Sequence, residues 1–297
     1  PQAELGRGQA GGDAQLLELL DCDGTSSDFF GYSVAVSSDG ARVVAGAYGD
    51  DDRGAISGSA NVLEGAAGER LLKLVASDGA ADDKFGHSVA VSSDGARVVA
   101  VAYGDDGQGG GSGSARVFDG ATGEKLLFRL LKRVASDGAS AGRFGSSVAV
   151  SSDGARVVAG ACGDDDQGGT SGSACVFDGA TSERLLKRVA SDGASADRFV
   201  SSVAVSSDGA RVVAGAYYHD GQGGGSGSAC VFDGATGEKL LKLVASGGGP
   251  SDSFGYSVAA SSDGARVVVG ACGDDDQGAN SGSANVFDGA TGEKLLF

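Results

Sequence analysis

The chain has 297 residues, 55 of them Gly and none Trp or Met, and its 40 acids outnumber its 23 bases for a formal net charge of -17. Nucleic acids and anionic bilayers both select for Lys and Arg, so neither is expected as a partner, and no stretch reaches the roughly 20 apolar residues that span a bilayer. A chain of this length can bury about 75% of its unfolded surface, but with only 6% aromatic residues the core must come mainly from Val, Leu and Ala.

The opening "PQAELGRGQAGGDA" carries no visible secretion signal and reads as the start of a processed product or an excised piece. Residues 1–13 are assigned as a flexible tail and 14–297 as one repeat domain. Residues 16–31, "LLELLDCDGTSSDFFG", align without a gap on 71–86, "LLKLVASDGAADDKFG", so the domain begins with an outer strand. From there one unit recurs. Phe30, Phe85, Phe144, Phe199 and Phe254 open five copies spaced by 55, 59, 55 and 55 residues, and four extra residues around Phe128 account for the longer interval.

Each unit begins with a stretch such as "FGSSVAVS", whose alternation predicts a strand. The "SSDG" that follows is a hairpin turn, because Asp-Gly tolerates positive backbone angles. "ARVVAGAC" is a second strand, and its unbroken apolar run predicts that both faces are covered. A Gly-rich acidic loop leads to a third strand, "SGSACVFDG". A turn and a fourth strand, "LLKRVAS", complete the unit.

A four-stranded meander with two apolar faces needs a neighbour on each side, which a β-propeller supplies. The predicted fold is therefore an all-β propeller of four-stranded antiparallel blades: a five-bladed ring, or part of a seven-bladed one. The last unit ends "TGEKLLF", the beginning of a fourth strand. Residues near 16–20 are expected to complete that blade and close the ring.

"FGYSVA", "VVAGA" and "SGSANVF" resemble the FG-GAP repeats of integrin alpha-type propellers, especially the bacterial and algal form in which a "GDDG" stretch precedes "GSGSA.VF". The resemblance covers residues 16–297. It implies a propeller, usually seven-bladed, that is extracellular or on the cell surface and works in adhesion or ligand binding, with no visible signal peptide in this chain. Two features depart from the pattern. Five units stand in place of seven, and the loop between the first two strands holds one acid (Asp39, Asp94, Asp153, Asp208 or Asp263) where integrins have a DxDxDG calcium loop. One carboxylate cannot supply six to eight oxygens, so that calcium site is not carried over. The fourth unit reads Phe199-Val200 where the others read Phe-Gly; since Val fits a positive φ poorly, the Gly is expected in β conformation, chosen for close packing.

Meander topology places the acidic loops and the blade-to-blade links at one end. The candidate residues there are Asp50, Asp51, Asp52, Asp105, Asp106, Asp164, Asp165, Asp166, Asp220, Asp274, Asp275 and Asp276. Three readings stand side by side: oxygen ligands for calcium, recognition of a protein or glycan, and simple solvation of a Gly-rich rim. Consecutive acids diverge, which weighs against calcium. His219 replaces an acid in the fourth unit, so a shared metal site would be lost there first.

Of the five Cys (Cys22, Cys162, Cys175, Cys230 and Cys272), Cys162 and Cys272 exchange with Tyr between units, and Cys175 and Cys230 with Asn and Arg, which points to unpaired thiols; a Cys162–Cys175 bridge is the alternative. Arg42, Arg97, Arg156, Arg211 and Arg266 each follow the turn Asp by three residues and are assigned to local ion pairs. His87 is read as a packing residue. No nucleophile elbow, HExxH pair or phosphate loop occurs, so the expected function is non-catalytic binding or adhesion. The alternatives are a carbohydrate hydrolase or lyase using paired carboxylates, or a purely structural array within a longer protein.

Overall fold

The structure, a computed structural model, describes residues 18–107, 110–126, 143–165, 170–181, 183–188 and 199–295. The predicted tail, the insertion around Phe128 and Asp166 lie outside these. The described residues form five antiparallel sheets and no helix.

The first blade contains β1 (Ser33–Val36), β2 (Arg42–Ala47), β3 (Ser59–Glu64) and β4 (Arg70–Leu74), paired in chain order. The second contains β5 (Phe85–Val91), β6 (Arg97–Ala102) and β7 (Ser114–Asp119); the third β8 (Phe144–Val150), β9 (Arg156–Ala161), β10 (Ser173–Asp178) and β11 (Arg184–Arg188). The fourth contains β12 (Ser202–Val205), β13 (Arg211–Ala216), β14 (Ser228–Asp233) and β15 (Lys239–Leu243); the fifth β16 (Phe254–Ala260), β17 (Arg266–Ala271) and β18 (Ser283–Asp288). In the second and fifth blades a fourth strand begins as single bridges, Phe118 to Lys125 and Phe287 to Lys294.

The units fold as predicted because each hairpin is locally determined. In every "SSDG" turn the Asp Oδ1 accepts from a Ser hydroxyl two residues earlier and an amide two residues later, as Asp153 does from Ser151 at 2.6 Å and Ala155 at 2.9 Å. These hydrogen bonds lower the carboxyl pKa in all five turns. Three of the repeated arginines pair with the Asp that ends the third strand: Arg156–Asp178 at 3.7 Å, Arg211–Asp233 at 3.9 Å and Arg266–Asp288 at 3.2 Å. Sheet register decides this, since Arg156 lies opposite Asp178.

Apolar faces of consecutive blades meet in four buried clusters, between blades one and two, two and three, three and four, and four and five. The opening Phe of each later blade, fully buried, anchors one cluster and stands edge-on to the Phe of its own third strand, as Phe144 does to Phe177 at 5.9 Å. Two sets of backbone hydrogen bonds recur at every interface. The opening Phe amide donates to a Ser carbonyl of the preceding blade (Phe85 to Ser57, Phe144 to Ser112, Phe199 to Ser171, Phe254 to Ser226). The hairpin turns also form a ladder, Ser38 N to Ser93 O, Ser93 N to Ser152 O, Ser152 N to Ser207 O and Ser207 N to Ser262 O, at 2.8–3.0 Å.

Two expectations are corrected. The Gly after the opening Phe has positive φ, from 82° to 92° across Gly31, Gly86, Gly145 and Gly255, and Val200 shares it at 71°. The close approach expected there is present: a Cβ on Gly86 would lie 2.0 Å from Ser59 O. Ring closure through the termini is not found among the described residues. The fifth sheet has three strands, Glu18, Leu19 and Leu20 lie outside any strand, and no buried cluster joins the fifth blade to the first.

Candidate functional site

The acidic loops and the links between blades share one end. Gly49 N donates to Asp28 O, Gly104 N to Asp83 O and Gly273 N to Asp252 O, which sews each loop to the link beside it.

Within each loop the acids divide by position. The first is buried: Asp50, Asp105, Asp164 and Asp274 are at most 8% exposed. One carboxylate oxygen accepts the amide two residues on, as in Asp50, Asp105 and Asp274. The other accepts a Ser hydroxyl that opens the third strand, from Ser59, Ser114, Ser173 or Ser283 at 2.6–2.9 Å. A cation sits against that carboxylate. It is Lys73 at 2.7 Å in the first blade, Arg116 at 3.3 Å in the second and Lys187 at 2.9 Å in the third. A buried carboxylate is tolerated only when paired and hydrogen-bonded, and the fourth strand supplies the partner through its repeated Lys. In the second blade Arg116 of the third strand takes over and also reaches Asp78 at 2.7 Å.

The fourth blade keeps the same frame with an imidazole. His219 Nδ1 takes the amide of Gly221 at 3.0 Å, and Nε2 lies 3.0 Å from Lys242 Nζ. The loop is therefore built alike whether the first residue is Asp or His. What these four blades share is a buried loop anchor held against a cationic side chain.

The second acid fastens the loop tip. Asp51, Asp220 and Asp275 each accept the amide five residues on, from Ile56, Gly225 and Asn280, at 2.6–2.7 Å. Asp51, Asp52, Asp106, Asp220, Asp275 and Asp276 are exposed and Asp165 is half-buried. Of these, Asp52 reaches Lys73 at 2.7 Å. The exposed Phe29, Tyr32, Tyr218 and Tyr256 lie at this end too, with Phe29 stacked on Tyr48 at 4.9 Å and Tyr32 edge-on to Tyr48 at 4.6 Å. His87 stacks on Tyr103 at 4.4 Å and its pKa is lowered by burial and by Lys84, which fits a packing residue.

Among the described residues one carboxylate cluster belongs to the first blade alone, and the sequence analysis did not single it out. Asp21, Asp28 and Asp50 each place a carboxylate oxygen within 4.8 Å of the others. Asp28 is held by Thr25 through its amide and hydroxyl. Asp21 occupies the position of the buried Ala76 and Ala245 in other units. Its side chain is 4% exposed, its Oδ1 meets Arg70 at 3.0 Å, and its Oδ2 is buried without a hydrogen-bond partner. Burial and the neighbouring Asp23 raise the Asp21 pKa to about 6. Such an orphan beside two further carboxylates fits a divalent cation, with Asp21, Asp28 and Asp50 as its ligands. The signal for it was an acid where the repeat otherwise has Ala.

Cys175 and Cys230 are buried in the sheets, Cys22 and Cys272 are exposed, and no disulfide joins any of the five cysteines. A cleft of about 320 Å³ between the fourth and fifth blades is lined by Asp274, Asp276, Asn285 and Lys294 among others. Its two acids are the ones the repeat places in other loops as well.

The FG-GAP repeat model matches residues 14–63, 70–118, 131–177, 186–232 and 238–287. No curated protein matches the chain. Among solved structures, the hydrazine synthase of Kuenenia stuttgartiensis is similar, with a TM-score of 0.58 and 16% identity over 86% of this chain. The alignment spans 64% of that longer chain, and at this identity it speaks for the propeller fold alone. With five matched repeats stacked as five blades, the chain belongs to the FG-GAP repeat family.

Proposed function

We propose that this chain is a non-catalytic, extracellular binding or adhesion module whose protein or glycan partner meets the loop end. The observation that carries the reading is the division of labour in the loops. Buried first acids and tip hydrogen bonds fix the backbone, while the outer carboxylates and several aromatic rings remain exposed beside them. Fixed polar groups next to aromatic faces suit recognition because little conformational freedom is lost on binding.

The test exposes the intact chain to immobilised neutral oligosaccharides and to an oligolysine peptide. Binding to one of the two is expected, and replacing Asp51, Asp52, Asp275 and Asp276 by Asn should weaken it; for the cationic peptide, added salt should weaken it as well. Failure to bind either probe, or binding indifferent to these substitutions, would overturn the reading. Release of soluble sugar from the oligosaccharides would support the hydrolase instead.

The calcium component of the proposal falls on Asp21, Asp28 and Asp50. Millimolar calcium should raise the melting temperature of the intact chain, Asp21→Ala should abolish the rise, and Asp275→Asn should leave it. Equal melting in calcium and in chelator would remove the cation from the proposal.

A further inference from the structure

The four internal interfaces share one design, and among the described residues both halves of a fifth copy are uncovered. Each interface joins a forward face, built from the second, third and fourth strands of one blade, to a rear face, built from the opening Phe and the first two strands of the next. On the rear face, Val89, Val148 and Val203 are 7–8% exposed, whereas Val34, their counterpart in the first blade, is 67% exposed. On the forward face, Val44, Val99, Val158 and Val213 are 0% exposed, whereas Val268 in the fifth blade is 37% exposed.

The backbone groups repeat the pattern. Every internal interface uses a Ser turn amide as donor and a Ser carbonyl before the third strand as acceptor. In the fifth blade the corresponding groups are Ser262 N and Ser281 O. The first blade holds the complementary groups, Ser38 O and Phe30 N. None of the four has a backbone partner among the described residues. The steric match is also kept. Gly46 and Gly215 of β2 and β13 would place a Cβ within 2.0 Å of the next blade, while Gly270 of β17 meets only Ser257 of its own blade.

We propose that two copies of this chain join head to tail, the first blade of one docked on the fifth blade of the other through the interface that the chain already repeats four times. The occupant is a second copy because the missing half of each exposed face is present, residue for residue, at the other end of the same chain. The contact is heterologous, with different residues contributed by each copy, so it closes into a ring or continues as an open series according to the rotation between blades. This inference rests on the propeller packing and is independent of what the loop end binds.

The test is the mass of the full chain in solution, by light scattering and sedimentation across a wide concentration range. The unaltered chain should show assemblies of two or more copies that grow with concentration. Val34→Glu blocks the rear face and Val268→Glu the forward face, each at an exposed position, so melting temperatures should hardly change; Val36→Glu replaces Val34→Glu if that variant melts early. Each variant alone should associate at least about tenfold more weakly, since the charge would be buried in an apolar contact. An equal mixture of the two variants should restore a species of two chains and nothing larger, because only one pairing of intact faces remains. A single-chain mass for the unaltered protein at every concentration, association by the variants as strong as the original, or a mixture that stays single-chain would each overturn the proposal.

Discussion

Val101 and Gly145 face each other between the second and third blades, and Gly160 and Val200 face each other between the third and fourth. A Cβ on Gly145 would lie 2.2 Å from Val101 Cγ1, and one on Gly160 would lie 2.3 Å from Val200 O and 2.9 Å from Val200 Cγ1. These two interfaces each hold one Val and one Gly, on opposite sides, whereas the first and fourth hold Gly on both, Gly46 against Gly86 and Gly215 against Gly255. Gly160 leaves the room that Val200 fills, although the positive φ of Val200 costs a β-branched residue about 1–3 kcal/mol. Gly145→Val should destabilise the protein by about 2–5 kcal/mol, through overpacking against Val101 and the positive φ. Adding Val101→Gly should recover part of the loss, because the double variant copies the Gly160–Val200 arrangement. A urea double-mutant cycle reads this directly, and a coupling below about 0.5 kcal/mol would mean that the two sites do not share space. The same site shows a limit of reading sequence. A Phe-Val among four Phe-Gly pairs was visible, but β geometry was the wrong inference from it, because the room for Val200 is made by Gly160, in another strand of the preceding blade.

At the scale of the blade, the charge-paired loop anchor holds the second strand, third strand and loop together. Lys187→Met should destabilise the third blade by about 3–5 kcal/mol, the usual consequence of leaving a buried carboxylate without its cation; Asp164 is 0% exposed. Lys187→Arg should retain most of the stability, and thermal denaturation compares the two. Acid should act on the opposite end of each blade. The turn carboxylates of Asp39, Asp94, Asp153, Asp208 and Asp263 are lowered from 3.8, mainly by the Ser hydroxyl and then by an amide. A depressed carboxyl pKa contributes stability that is present above the unfolded value and is lost as pH falls through the folded one. Stability should therefore decline below about pH 4, and replacing all five by Asn should flatten that decline in urea titrations. Strands, turns and blade count were legible because alternation and Asp-Gly turns are local signals. The loop acids were legible as a set but not in their roles. Which acid is buried depends on Lys73 or Lys187, some twenty residues on, and the Asp21 cluster depends on contacts between the link and a loop.

For the whole molecule, an open series of blades and a closed ring respond differently to the same damage. In a ring every blade has two neighbours, whereas among the described residues the first and fifth have one each. Stability in a linear array is approximately a sum of unit terms and nearest-neighbour interface terms, so an interface near the end can fail without the rest. Phe254 and Phe144, both 0% exposed, are equivalent residues at the last interface and at one nearer the middle. Each Phe→Ala change should remove about 3–5 kcal/mol from its own interface. Phe254→Ala should then release the fifth blade in a separate transition below the main one. Hydrogen exchange should show β16, β17 and β18 losing protection while β8, β9 and β10 keep it. Phe144→Ala divides the array into two blades and three, neither of which has a large core, so it should lower the main transition itself. A common single transition for both variants would require the fifth blade to be held from its other side as well. In the presence of head-to-tail assembly that is the expected concentration effect: dilution should separate the Phe254→Ala transition, and concentrated protein should merge it back.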